Sequence, residues 1–211
     1  MAVVASLLTS AGSTTDAASY NTASVSPTNG SLILLCVARR ENAPNSISGC
    51  GLTWTEVDSA VTTDGVQGAI VYKGVGTPSA GAITIGFAGT QSNCGWMVVE
   101  FSEAEVTNSA DGIVEGTNSG LTVTLPTFAN SENATFGFVR FQANKTIANG
   151  SGFTQLGEVN TAEFSMDSQF KNTNDTSVDW TWASDGNRAA GVAVEIGYVP
   201  AVGGSFLFNL L

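Results

Sequence analysis

Two stretches of this chain share one pattern. Gly49-Cys50-Gly51-Leu52-Thr53-Trp54-Thr55-Glu56-Val57 returns in looser form as Gly150-Ser151-Gly152-Phe153-Thr154-Gln155-Leu156-Gly157-Glu158-Val159, roughly one hundred residues later. Self-similarity at a long fixed spacing marks a chain built from related units. In each copy a Gly turn frees the backbone to take φ > 0. Large apolar residues then alternate with Thr or Glu, the pattern of a half-buried strand. Such a chain is predicted to be a β protein with two degenerate halves.

Other segments recur in the same order. In the first half, strands are expected over 2–9, 19–26, 31–39, 52–59, 68–75, 82–88 and 95–101. The nearly unbroken run Leu32-Ile33-Leu34-Leu35-Cys36-Val37 predicts a central strand covered on both faces. Residues 42–51, rich in Asn, Ser, Pro and Gly, read as a long loop. In the second half, Leu121-Thr122-Val123-Thr124-Leu125 matches the strand before Pro27, and 134–141 matches the central strand. Gln169-Phe170-Lys171-Asn172 matches Val71-Tyr72-Lys73-Gly74, Val178 to Trp182 alternate as Ile83 and Ile85 do, and 192–196 match 97–101. Residues 106–120 suit a linker between two domains or a crossover inside one, and the crossover is preferred because one half alone leaves a sheet face uncovered. The expectation is an all-β, jelly-roll-like antiparallel β-sandwich built from two degenerate repeats. It forms a single domain over 1–199, with half-repeats about 19–105 and 120–199, and is followed by a C-terminal apolar arm over 200–211.

Composition agrees with that class and narrows the partners. Apolar residues make up 43% of the 211, ample for a core, while charged residues make up only 12%, so neutral polar groups must cover much of the surface. The formal charge is −11, from 18 acidic and seven basic residues. Such a surface repels phosphate, so neither nucleic acid nor an anionic membrane is an expected partner. No run approaches the roughly 20 apolar residues that span a bilayer. The apolar start, residues 1–8, lacks a preceding Lys or Arg and is read as a first strand, so synthesis in the cytoplasm is expected. Cys36, Cys50 and Cys94 include no close pair; Cys36 lies in the apolar run as a core residue, and a Cys50–Cys94 disulfide stays open. The chain has no histidine, which removes the commonest general base and transition-metal ligand.

The stretches Thr14-Thr15-Asp16-Ala17-Ala18-Ser19-Tyr20, Pro27-Thr28-Asn29-Gly30-Ser31-Leu32-Ile33-Leu34-Leu35, Gly49 to Thr55, and Gly95-Trp96-Met97-Val98-Val99-Glu100-Phe101 together look familiar. Their order resembles a group of β-rich proteins and domains encoded by tailed phages and by bacteria, over about residues 3 to 199. Its motifs specify strands and turns. The resemblance implies a jelly-roll-like sandwich and a virion structural role, and it carries no catalytic residue over to this chain.

Each candidate site has a structural counterpart reading. Trp54, Trp96, Trp180 and Trp182, with Tyr20 and Tyr72, suit an aromatic platform for a sugar ring, but their strand spacing favours core packing. Asp167, Asp175, Asp179 and Asp185 supply Ca²⁺-type oxygens without any EF-hand spacing, so a solvated rim is favoured and no metal is assigned. Glu56 with Glu100, or Glu158 with Glu195, would serve hydrolysis only if adjacent strands brought them together. No cofactor and no enzymatic activity are expected. The segment after Pro200 is more informative, because Phe206, Leu207, Phe208, Leu210 and Leu211 form an apolar surface that a monomer exposes at a cost. Either the segment folds back as a final edge strand or it adds a strand to a neighbouring subunit; on the second reading, which the two-Gly hinge favours, these are the predicted partner-binding residues.

The expected function is a phage virion structural protein, a capsid decoration or cement protein on the capsid surface. It would bind the major capsid protein or another virion protein as a homo-oligomer, a trimer being the first form considered. The alternative is a carbohydrate-binding module of a tail fibre or cell-surface protein.

Overall fold

A computed structural model describes residues 3–128 and 130–199, and among them every regular element is a β-strand. The first eight are β1 (Ala5–Ser13), β2 (Ala17–Asn21), β3 (Leu32–Arg40), β4 (Pro44–Gly49), β5 (Thr53–Val61), β6 (Gln67–Val75), β7 (Ile83–Gln91) and β8 (Cys94–Phe101). The second eight are β9 (Ala104–Val114), β10 (Asn118–Thr124), β11 (Ala134–Phe141), β12 (Ala148–Asn149), β13 (Thr154–Asn160), β14 (Ser165–Lys171), β15 (Ser177–Asp185) and β16 (Ala189–Tyr198).

The strands form four antiparallel sheets. Two have five strands, in the orders β1-β8-β3-β6-β5 and β9-β16-β11-β14-β13; two have three, β2-β7-β4 and β10-β15-β12. The second eight strands thus repeat the hydrogen-bonding order of the first eight. Turns and irregularities recur as well. Gly49–Leu52 and Gly150–Phe153 close the same turn, with N–H···O contacts of 3.2 and 3.1 Å and positive φ at Gly51 and Gly152. The next strand then carries one extra residue in each half, Val57 between Glu56 and Asp58, and Leu156 between Gln155 and Gly157. Such bulges bend an edge strand and aim the extra side chain inward, and both Val57 and Leu156 pack on the central core.

The four sheets stack in layers, with the five-stranded sheets in the middle and a three-stranded sheet outside each. Alternation in β3 explains its unbroken apolar run. Leu34, Cys36 and Ala38 enter the central core against Phe136, Phe138, Val192 and Val194. Ile33, Leu35 and Val37 enter an outer core with Tyr20, Ile83 and Ile85. A second outer core joins Val139, Phe141 and Ala193 to Leu121, Val178 and Trp180. Each half is therefore already a sandwich, and the two press their larger sheets together. β1 faces β13 and β5 faces β9, a reciprocal arrangement like that of a two-fold dimer held in one chain.

Four expectations are corrected. Residues 106–120 are not a crossover: β9 is an edge strand running along β16, and the halves that match in strand order are 5–101 and 104–198. Residues 42–51 are not all loop, since β4 pairs with β7 there. The first strand continues through Ser13, and β2 is confined to Ala17–Asn21. Lys73 is not the counterpart of Lys171. Glu100 and Glu195 lie opposite Ile33 and Thr135, which on their other side lie opposite Gly74 and Lys171. Gly74 thus matches Lys171, and Lys73 matches Phe170. A one-residue slip matters because it exchanges the two faces of a strand.

One end of the double sandwich is closed by polar contacts between the halves. Arg188 is ion-paired with Asp64 and lies 3.8 Å from Glu115, whose carboxylate also accepts from the Thr63 N–H at 2.8 Å. Arg40 approaches Glu163 at 3.7 Å, and Glu163 accepts from Asn93 at 2.8 Å. Arg140, fully buried, donates to Asn93 at 3.1 Å and sits 5.4 Å from the Phe164 ring centre. Burial draws its guanidinium down to about 9, with Arg40 and Arg39 adding to the effect.

Because both halves share the central core, they should unfold as one. Variants that keep only Trp54 and Trp96, or only Trp180 and Trp182, are expected to give coincident urea transitions. Phe136→Ala should lower stability by about 3–5 kcal/mol in both. Two separated transitions would show instead that the halves fold independently.

Candidate functional site

The aromatic platform is absent from the surface. Trp96, Trp180, Trp182, Tyr20 and Tyr72 are all buried, and Trp54 packs half-buried against the first outer core. Two of them are hydrogen-bonded internally: the Tyr20 hydroxyl lies 2.9 Å from both the Thr15 and Gln91 carbonyls, and Trp182 donates to Asn118 at 2.9 Å, whereas the buried Trp54, Trp96 and Trp180 N–H groups find no partner among the described residues. With five of the six rings buried, this set forms no platform of several exposed rings. The three thiols are buried and free, so Cys50 and Cys94 form no disulfide.

The acidic candidates are dispersed. Asp175 pairs with Lys171 at 2.6 Å, Asp185 pairs with Lys145 at 2.9 Å, and Asp179 accepts from Thr122 at 2.6 Å. No group of three or more His, Cys, Asp or Glu fit to hold a metal occurs among the described residues. Glu56 and Glu100 lie on strands separated by β6 and β3, and Glu158 and Glu195 on strands separated by β14 and β11. Neither pair faces a shared cleft. Glu100 accepts from the Thr28 N–H at 2.8 Å and closes a turn, while buried Glu195 accepts from Asn108 at 2.7 Å. The predicted partner-binding residues Phe206, Leu207, Phe208, Leu210 and Leu211 lie outside the described residues.

One carboxyl pair does come together, and it is Glu158 with Asp167. They sit directly opposite across the β13–β14 hairpin. A hairpin centred on 162–163 places 158 against 167, so the signal was present once 154–160 and 165–171 were taken as paired strands. Asp167 is fully buried between the second half's sheets. Gln155 donates to it at 2.6 Å, and Asn149, in the amide orientation that satisfies both its neighbours, donates at 3.0 Å. The Trp180 indole N–H faces the same carboxyl without reaching good hydrogen-bonding geometry. Burial pushes Asp167 up to about 7; the Gln155 hydrogen bond opposes this and the Glu158 charge adds to it.

The matched positions in the first half are apolar. Asp167 and Gln169 occupy the places of Ile70 and Tyr72, and Asn149 lies opposite Trp180 as Ile47 lies opposite Ile85. The reason is local. β4 is a six-residue strand, whereas β12 has only two residues, so backbone donors beside it need other acceptors. Lys145 N–H goes to Ser165 Oγ at 2.8 Å, Ile147 N–H to Glu158 at 3.0 Å, and Gly150 N–H to Gln169 at 2.9 Å. A carboxyl near 7 beside a second carboxylate has the chemistry of a general acid. Here Gln155 and Asn149 roof it, and the cluster anchors residues 145–150 to the sheet beneath.

The open end of the molecule has a different character. The Ser102 N–H donates to the Val4 carbonyl at 3.0 Å, and the Val199 N–H donates to the Glu103 carbonyl at 2.7 Å. The first and last described residues thus meet at the same two-residue turn between β8 and β9. Val4 is 60% exposed and Val199 39%.

The raised Asp167 gives a signed pH dependence. Its folded value lies above the unfolded one, about 3.9, so its protonated form contributes stability that is full below pH 4 and is lost as pH rises through 7. Asp167→Asn should remove this slope. Relative to the parent chain, the variant should gain up to about 4 kcal/mol between pH 4 and pH 8 in urea unfolding. An unchanged slope would place the ionisation elsewhere.

No family model, curated protein or solved structure matches the chain.

Proposed function

We propose that this chain is a non-enzymatic phage virion structural protein of the capsid decoration type. It binds the outer capsid, through the major capsid protein or another virion protein, as a homo-oligomer. We read the interleaved order of β1, β8, β3 and β6 against β2, β7 and β4 as a jelly-roll winding, present twice.

The observation that carries the reading is the convergence of Val4 and Val199 on the Ser102–Glu103 turn. Val199, the last described residue before segment 200–211, is therefore held at the end opposite the Arg188, Arg40 and Arg140 contacts. Phe206, Leu207, Phe208, Leu210 and Leu211 supply the apolar area for a partner in this reading. A net charge of −11 keeps the remaining surface soluble and favours a basic patch on that partner. Contacts that are weak singly hold firmly when repeated over a lattice.

Removal of residues 200–211 is the direct test. The truncated chain should keep its far-ultraviolet circular dichroism, sediment as a monomer and fail to co-sediment with particles. Unchanged assembly and unchanged particle binding would sink the proposal.

A further inference from the structure

Residues 145–150 run along the open edge of the second three-stranded sheet, and little of their own backbone pairing holds them there. In the first half the matching strand, β4, pairs with β7 from Pro44 to Gly49. In the second, only Ala148 and Asn149 pair with β15. The remaining anchors are side chains of β13 and β14. Ser165 accepts from the Lys145 N–H, Glu158 from the Ile147 N–H and Gln169 from the Gly150 N–H, while the Asn149 amide donates to Asp167. Buried under this strap are its own Ile147 and Trp180 of β15, which share the second outer core.

Two of the anchors are carboxyls set directly opposite each other across the β13–β14 ladder. Neither is ion-paired among the described residues. Of the ionisable groups on the surrounding elements, Lys145 is paired with Asp185 and Lys171 with Asp175, Asp179 accepts from Thr122, and Arg140 of β11 lies in the central layer against Phe164. Glu158 is thus the charge that acts on Asp167. One proton relieves the pair. Turning the exposed Gln155 amide gives protonated Asp167 an acceptor at the same 2.6 Å, a normal O–H···O length. Once that proton is lost, a fully buried carboxylate faces a second one, and movement of the strap is what admits water to it. We propose that residues 145–150 are a pH-sensitive strap, held on the second outer core by the proton on Asp167 and lifted when that proton leaves. Lifting uncovers Ile147 and Trp180 and frees the β15 backbone at Trp180 and Thr181, an edge to which another strand can add. The closed form binds the proton more tightly than the open one, so opening gains as pH rises from about 4 to about 7 and levels off above.

Native-state hydrogen exchange in the full chain tests the strap amide by amide. After correction for intrinsic rates, protection of the Ile147 and Gly150 amides should fall about tenfold per pH unit between pH 4 and pH 7. At pH 7.5 their exchange should be unchanged by low urea, the mark of local opening, while the Val139 amide in β11 follows global unfolding. Asp167→Asn should keep the strap shut across the whole range. Glu158→Gln keeps an acceptor for the Ile147 N–H and removes only the charge, so it should raise Gly150 protection several-fold at pH 7.5. Strap amides that exchange only together with Val139 would overturn the proposal, as would a slope that survives in Asp167→Asn. Should that variant not fold, Glu158→Gln decides alone, and unchanged Gly150 protection in it would sink the idea.

Discussion

Everything in this molecule depends on the apolar layer between the two five-stranded sheets. Each of those sheets has two apolar faces, and its own three-stranded partner covers only one. In β3 the inward row Leu34, Cys36 and Ala38 finds cover only in the other half, where Phe136 and Phe138 occupy the facing positions. Phe101 meets Phe136 edge-on with ring centres 5.4 Å apart, so the closest aromatic contact at that layer joins the halves. Neither half buries its larger sheet alone, which is why two similar sandwiches make one unit rather than two beads on a string.

The two ends of this layer are treated differently. At one end the polar groups of the turns are drawn inward, and the buried Arg140 guanidinium is held by Asn93 and the Phe164 ring. Burying a charge there is costly, and such an arrangement fixes how the halves sit more than it adds stability. At the other end the turns leave apolar residues in water. Polarity within the halves is uneven as well. The Asp167 cluster shows that a position filled by Ile70 in one half can hold a carboxyl in the other, provided that nearby donors supply hydrogen bonds.

Much of the fold was legible in the sequence, and the limits follow from what alternation can encode. The paired Gly turns at 49–52 and 150–153, the both-faces-buried run in β3 and the all-β class came from patterns set by burial. β4 and β9 were missed because edge strands rich in Asn, Ser and Gly owe their form to hydrogen bonds with β7 and β16 rather than to an apolar face. The pairing of Lys73 with Lys171 failed because residue identity suggested one register where the ladder imposes another. Among the site candidates, the tryptophans were correctly favoured as core. The Glu158–Asp167 pair escaped notice because cross-strand neighbours depend on pairing, which composition does not reveal.

The meeting of Val4 and Val199 at the Ser102–Glu103 turn bears on how the chain is ordered. The passage from β8 into β9 and the approach of the last described residues to the first occupy matched places in the two halves. A short bridge from Val199 to Val3, with the backbone opened at Ser102–Glu103, would let the second sandwich precede the first while every ladder and core contact stayed as it is. The ladders and cores would be satisfied by either order of the two sandwiches.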